Sequence, residues 1–379
     1  MTATTKQPDT RGLAGQTIGD TQICSVGQSH LIYRGYEIAD LAAHATFEEV
    51  AFLLIEGRKP SSEELEAFRI ELSEYANPDP SIIELVQQIA RTSPKAHPMC
   101  ALRTAVSAAS HLDPDCEDNS PAAELRKAKR LVASIPTIIG AHQRALEGKD
   151  AVKPDPSLSH AANLLMCITG ERPGEIAAKV MDVSLILYAE HDFNASTFTC
   201  RVIASTMSDM HSCITGAIGS LRGPLHGGAN EAAMDMIEKW SSPDEAEKGL
   251  LAMLERKEKV MGFGHAIYRE SDPRNLIIKG WAKNLAKQVG DAVLYPVSER
   301  CEEVMWREKK LFCNADFFHA SAYHFMDIPT KLFTPIFVMS RVVGWAAHVK
   351  EQRANNRIIR PSADYTGPET AEWVDIRNR

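Results

Sequence analysis

Apolar residues recur along most of this chain every three or four positions, the spacing of helices with one buried face. Thr46-x-x-Glu49 and Ser61-x-x-Glu64 read as capping boxes. The first opens a helix through Leu54, and the second opens one carrying Leu65, Phe68 and Leu72 until Asn77-Pro78 stops it. Further helices are predicted over 98–110, 122–147, 173–190, 196–215, 230–239, 243–258, 272–289, 298–310 and from Asn314 onward. Ala101, Ala105, Ala108 and Ala109 form a small-residue stripe that permits close packing, and Pro136 predicts a kink or break within 122–147. The stretch 330–349 is apolar on most faces but contains Arg341 and His348, which predicts a buried helix rather than a membrane span. Only Thr21–Val26 and His30–Tyr33, around Gly27-Gln-Ser29, pattern as strands, in one hairpin. The expected fold is all-α.

Nothing in the 379 residues repeats at constant period, and no heptad or low-complexity block is sustained, so solenoids and coiled coils are disfavoured. The acidic stretch Asp113–Asp118 and the turn Lys153–Ser157 are too short for domain linkers and read as solvated loops. A hydrophobic share of 44% with 24% charged residues fits a globular chain, and the net charge of −8 argues against a general nucleic-acid binder. It leaves room for a local basic pocket. The eight cysteines form no C-x-x-C pair, which favours free thiols in a reducing compartment. Residues 1–10 are polar, without an apolar signal core or an Arg-rich presequence, and read as a frayed tail. A cytoplasmic protein with no membrane partner is expected.

Chemistry concentrates in three places. Val260–Arg274 puts Gly262, Gly264, His265, Arg269 and Arg274 in one loop, with Asp272-Pro273 reading as an N-cap and first-turn proline. Gly216–Gly228 holds five glycines with Arg222 and His226, a density suited to a ligand-cradling turn or a hinge. Asp316 stands at a helix start. One carboxylate base and two imidazole donors suit removal of a proton from a carbon next to a carbonyl, and Arg274, Arg341 and Arg360 would fix a dicarboxylate. Against this stand ordinary roles: an Asp at a helix start is usually a cap, and most histidines are structural. No metal-binding spacing surrounds His226 or His265, so no metal or other cofactor is expected, and Cys313 shows no local feature of an activated nucleophile.

Taken together, Leu221-Arg-Gly-Pro-Leu-His-Gly-Gly-Ala-Asn230, Gly262-Phe-Gly-His-Ala-Ile-Tyr-Arg-Glu-Ser-Asp-Pro-Arg274 and Asn314-Ala-Asp316 resemble the three active-site motifs of the citrate synthase family, in its order. The likeness extends from Tyr33-Arg-Gly-Tyr-Glu-Ile38 through Ala189-Glu-His-Asp-Phe-Asn-Ala-Ser196 to Arg360-Pro-Ser-Ala-Asp-Tyr-Thr-Gly367. It implies an all-α homodimer, with a large domain over 1–227 and 329–379 and a small mobile domain over 228–328, hinged near Gly227 and Gly228. It further implies that Asp316 takes a proton from acyl-CoA, His226 bonds the thioester oxygen, and His265 polarises the keto oxygen of oxaloacetate. His191, Arg274, Arg341 and, from a second subunit, Arg360 would hold the oxaloacetate carboxylates. Val260, Met261, Gly262, Phe263, Gly264 and Ala266 would lie along CoA, Arg269 near its phosphates, and Arg307, Lys309 and Lys310 as weaker phosphate contacts.

Within the family, Tyr188–Phe198, Arg222–Glu231 and Gly344–Arg353 are most similar to the 2-methylcitrate synthases, which use propionyl-CoA. Citrate synthase itself is the alternative, and a helical scaffold without catalysis is the alternative of another kind. Ala315, small beside the expected base, is read as room for the extra methyl group.

Overall fold

A computed structural model describes residue 13 and residues 16–378, so the expected N-terminal tail at 1–10 lies outside the described residues. The hairpin forms from β1 (Cys24–Val26) and β2 (Leu31–Tyr33), antiparallel with Cys24 opposite Tyr33. A third strand, β3 (Tyr36–Glu37), adds to β2 and was not expected. Arg34 (φ 50°) and Gly35 (φ 92°) make the tight turn between them, and Leu31 and Tyr33 bury the inner face.

All else in regular structure among the described residues is helical. The first half contains α1 (Ile38–His44), α2 (Phe47–Glu56), α3 (Ser62–Tyr75), α4 (Pro80–Thr92), α5 (Pro98–Ala109), α6 (Pro121–Leu146), α7 (His160–Thr169) and α8 (Glu175–Tyr188). The second contains α9 (Ala195–Ser205), α10 (Met210–Leu221), α11 (Ala229–Ile237), α12 (Pro243–Glu255), α13 (Pro273–Val289), α14 (Leu294–Lys309), α15 (Ala315–His324) and α16 (Phe333–Ala354). Both capping boxes are present, at Thr46 and Ser61. The axis of the core is α16, which packs against α2, α5, α6, α8, α9, α10 and α11. It is long and apolar enough to cross a membrane, yet its apolar stretch is wholly buried in protein. Helices α11 to α15 pack among themselves, α12 on α14 and α15 on both α11 and α13, while α13 also touches α1 and α8.

Several expectations need correction. Of the kink or break expected at Pro136, the break is absent: α6 continues as one helix past it, packed by α3, α4, α7 and α16, and tertiary packing offsets the lost amide bond. The single helix expected over 196–215 is two, because Met207 turns into left-handed backbone (φ 66°) and the Asp209 carboxylate caps α10 at Ser212 N, 2.8 Å. Gly216 and Gly219 belong to α10 rather than to a turn. A Cβ on Gly216 would meet Ile203 at 2.3 Å, so that glycine serves the α9–α10 contact. Helix α14 starts at Leu294, a turn before Ser298, because Asp291 accepts from the amides of Val293, Leu294 and Tyr295. The Arg353 side chain is buried against Glu124, with which it pairs.

Helices α6 and α7 come close at Gly140, where a Cβ would lie 2.5 Å from the Cys167 carbonyl oxygen. Gly140→Ala should lower the unfolding free energy by about 1–3 kcal/mol, the usual cost of overpacking. Urea unfolding measures this; an unchanged midpoint would contradict the contact.

Candidate active site

The glycine loop is stitched to the segment that opens α15. Gly264 N donates to Phe312 O (2.8 Å), Asn314 N to Gly262 O (2.9 Å), and Phe263 pairs with Cys313 in an isolated antiparallel bridge. Gly262 (φ 86°) takes left-handed backbone, and a Cβ there would fall 2.8 Å from the Phe317 ring. Asn314 caps α15 by accepting from Asp316 N (3.0 Å) and reaches back to Gly264 O (3.0 Å). Asp316 is thereby free of capping duty, and its carboxylate turns inward.

Asp316, His226, His265, His191, Arg274 and Arg341 all line one cavity of about 530 Å³. Tyr188, Phe337 and the backbone from Lys259 to Ala266 complete much of its wall. Ala195, Ala229, Arg274 and Asp316 stand in the first turns of α9, α11, α13 and α15, so four helix N-termini open on this space. Their dipoles, with Arg274, Arg341 and Lys259, favour an anionic ligand in a chain that is acidic as a whole.

The three reactive candidates are differently poised. Tyr188 OH donates to Asp316 Oδ1 at 2.6 Å. Burial raises the Asp316 carboxyl above its usual range, while the Tyr188 bond, Arg274 and Arg341 pull it down. His226 Nε2 accepts from Ser196 N (3.3 Å), with Ser196 Oγ 2.9 Å from the same atom. An amide can only donate, so the His226 proton sits on Nδ1. His265 Nδ1 accepts from the amides of Ile267 (3.1 Å) and Tyr268 (3.2 Å), which places its proton on Nε2. Burial with Arg341 lowers His226 to about 4; burial with Arg274 does the same for His265. At neutral pH both rings are therefore uncharged donors.

The anion-holding groups are equally fixed. Arg274 donates from Nε and Nη2 to Asp272 (3.0 and 2.8 Å), which leaves Nη1 outside that fork. Arg341 donates from Nε to Tyr188 O (2.7 Å) and lies over the Phe337 ring. His191 Nε2 is 3.1 Å from Tyr268 OH, and its ring stands edge-on to His265. Behind them Glu190, fully buried, accepts from His191 N (2.8 Å) and lies 3.1 Å from His348 Nε2, while His348 Nδ1 accepts from Arg201 (2.8 Å). A buried base beside two neutral donors, ringed by guanidinium groups, is equipped for carbon acid chemistry on a polyanion.

A family profile described as "Citrate synthase, C-terminal domain" matches residues 12–362. The chain belongs to the citrate synthase family. It is 54% identical to a 2-methylcitrate synthase of Shewanella oneidensis, over 97% of each chain. It is 44% identical to citrate synthase 2 of Bacillus subtilis, over 98% of this chain and 99% of that one. Its fold matches a citrate synthase of Thermoplasma acidophilum, solved with carboxymethyl coenzyme A and oxaloacetate, with a TM-score of 0.91 at 30% identity over 97% and 98% of the two chains.

Not every family position expected from the sequence reaches the cavity. Val260, Met261, Gly262, Phe263, Gly264 and Ala266 line it; Arg269, Arg307, Lys309, Lys310 and Arg360 do not. Arg307 is engaged by Glu247 (2.8 Å) and Glu308 (2.7 Å), and Arg360 is exposed on the extended segment after α16. Gly227 has a packing reason to be glycine, since a Cβ would meet Leu221 O at 2.6 Å. Ala315 is buried and absent from the wall, where the bulk near Asp316 is Tyr188 and Phe337. Cys313 is buried and its thiol pushed up by that burial, the opposite of an activated nucleophile. Sequence reasoning missed Lys259 and Phe337. Only Phe337 carried a signal, standing one helical turn before Arg341.

Tyr188→Phe removes the bond that holds the Asp316 carboxyl down, so its pKa rises. A base must be ionised, so the acidic limb of kcat/KM should move to higher pH. A pH–rate profile with an unmoved acidic limb would remove Tyr188 from control of that base.

Proposed function

We propose that the chain is a 2-methylcitrate synthase, condensing propionyl-CoA and oxaloacetate with water to 2-methylcitrate and CoA, with citrate synthase side activity. The observation that carries the chemistry is Asp316 sharing one cavity with two neutral imidazole donors. The propionyl preference rests on likeness to the Shewanella oneidensis enzyme. Asp316 removes the proton next to the thioester while the His226 Nδ1 proton bonds the thioester oxygen. The resulting enol attacks the keto carbon of oxaloacetate, forming the new C–C bond, and the keto oxygen takes its proton from His265 Nε2. Water then cleaves the thioester, releasing CoA and a carboxylate. His191, Arg274 and Arg341 hold the oxaloacetate carboxylates.

CoA lies along Val260–Ala266, with Arg269 near its phosphates and Arg307, Lys309 and Lys310 as weaker phosphate contacts. Residues 228–328 close over both substrates as a small domain, keeping the enol from water. The working form is a homodimer, in which Arg360 completes the oxaloacetate site of the second copy. A cytoplasmic setting fits the eight free cysteines. One methyl group separates propionyl-CoA from acetyl-CoA, a difference worth about 1–3 kcal/mol, so both acyl groups should react.

The test is CoA release in the presence of oxaloacetate. kcat/KM should be higher for propionyl-CoA, and Asp316→Ala should fold yet lose about 10²–10⁴-fold in turnover. A clear acetyl preference would make the chain a citrate synthase with the same mechanism. Release with neither substrate would return the scaffold reading, and a monomer in light scattering would exclude the trans role of Arg360.

A further inference from the structure

Away from this cavity, the acidic loop between α5 and α6 meets the start of α10. There one donor atom each from Cys116, Asp209 and His211 lie within 4.8 Å of one another. His211 is 2% exposed. Its Nε2 faces Asp113 at 3.5 Å and its Nδ1 faces Asp209 at 4.0 Å, yet Nδ1 is buried without a hydrogen-bond partner. Buried polar atoms are rarely left so. With the ring proton turned to Asp113, Nδ1 offers a lone pair toward Asp209, the carboxylate–histidine arrangement that orients imidazole ligands of metals.

We propose that Cys116, Asp209 and His211 form a binding site for a zinc-type divalent cation, with water as its fourth ligand. A thiol, an imidazole and one carboxylate select such an ion over magnesium or calcium, which prefer oxygen alone. Tetrahedral bonds of about 2.0–2.3 Å bring donors to about 3.3–3.8 Å apart, so closure asks for a movement of about 1 Å. Cys116 N is tied to Asp113 O (3.1 Å), and Asn119 Nδ2 is anchored to Met207 O (3.1 Å), beside Asp209. Cys116 and Asp209 are half-exposed, which leaves an approach for the ion.

Neighbouring cations already have partners: Arg130 pairs with Asp113 and Asp115, Arg126 with Asp115, and Lys127 with the Asp118 carbonyl and with Glu124, which it shares with Arg353. Asp209 keeps its capping bond to Ser212 N and binds with a remaining lone pair. An ion here would fasten the loop to α10, whose far end leads into the turn that carries His226. Cys116 is remote in sequence from Asp209 and His211, so no local spacing marks the cluster.

Cobalt(II) titration of the reduced full-length protein tests this. Wild type should bind one equivalent with tetrahedral d–d bands and a thiolate-to-cobalt charge-transfer band. Cys116→Ser should lose that band and bind at least tenfold more weakly, with kcat unchanged. Zinc should raise the melting temperature of wild type and not of the variant. Asp209→Asn, which keeps the helix cap, provides a second variant and should also weaken binding at least tenfold. No stoichiometric binding by wild type, or a charge-transfer band that survives in Cys116→Ser, would overturn the proposal.

Discussion

One buried carboxylate holds the catalytic half of this molecule together. Asp272 accepts from Arg274 N, forks to the Arg274 guanidinium, and accepts from Ala315 N at 2.9 Å. Three things are thereby fixed at once: the first turn of α13, the direction of Arg274, and the start of α15, one residue before Asp316. Burial would raise this carboxyl, but Arg274 and the two amides outweigh it and hold Asp272 below the usual range. The pairing has to be complete. A buried ion that loses one partner costs about 3–5 kcal/mol, so the loop and the base stand or fall with this contact.

From that anchor the electrostatics of the cavity follow. Burial first, and Arg274 and Arg341 after it, disfavour imidazolium, so His226, His265 and His191 stay neutral in a cavity whose positive field favours an anionic ligand. Neutral rings still donate one proton each, and the backbone amides of Ser196, Ile267 and Tyr268 decide which nitrogen holds it. The base is treated differently, because Tyr188 gives Asp316 a hydrogen bond that the low-dielectric site would otherwise deny it. Glu190, His348 and Arg201 form a second buried charge network behind His191. Gly344 permits it: a Cβ there would fall 2.1 Å from Glu190 Oε2.

Much of this was legible in the sequence where the physics is local. Capping boxes at Thr46 and Ser61, the cap at Asp272 and the glycines of the 260–274 loop depend on neighbours a few residues away. Helix 196–215 was misjudged because its break rests on a single positive φ at Met207, which no periodicity reveals. A break at Pro136 does not occur for the opposite reason, since packing from distant helices overrides a local proline signal. The convergence of His226, His265 and Asp316 was suggested by family motifs and not by spacing. Tyr188 as the partner of Asp316, and the amides that set the two histidine tautomers, are contacts between distant segments and left no local trace. The same holds for the Cys116, Asp209 and His211 cluster.

Two neutral histidines with opposite tautomers flank the carboxylate base. Nitrogen-15 NMR of histidine-labelled protein at neutral pH tests it most directly, with His226→Asn and His265→Asn variants to assign the signals. His226 should be neutral and protonated on Nδ1, and His265 neutral and protonated on Nε2. An imidazolium at either position, or the same tautomer at both, would contradict it.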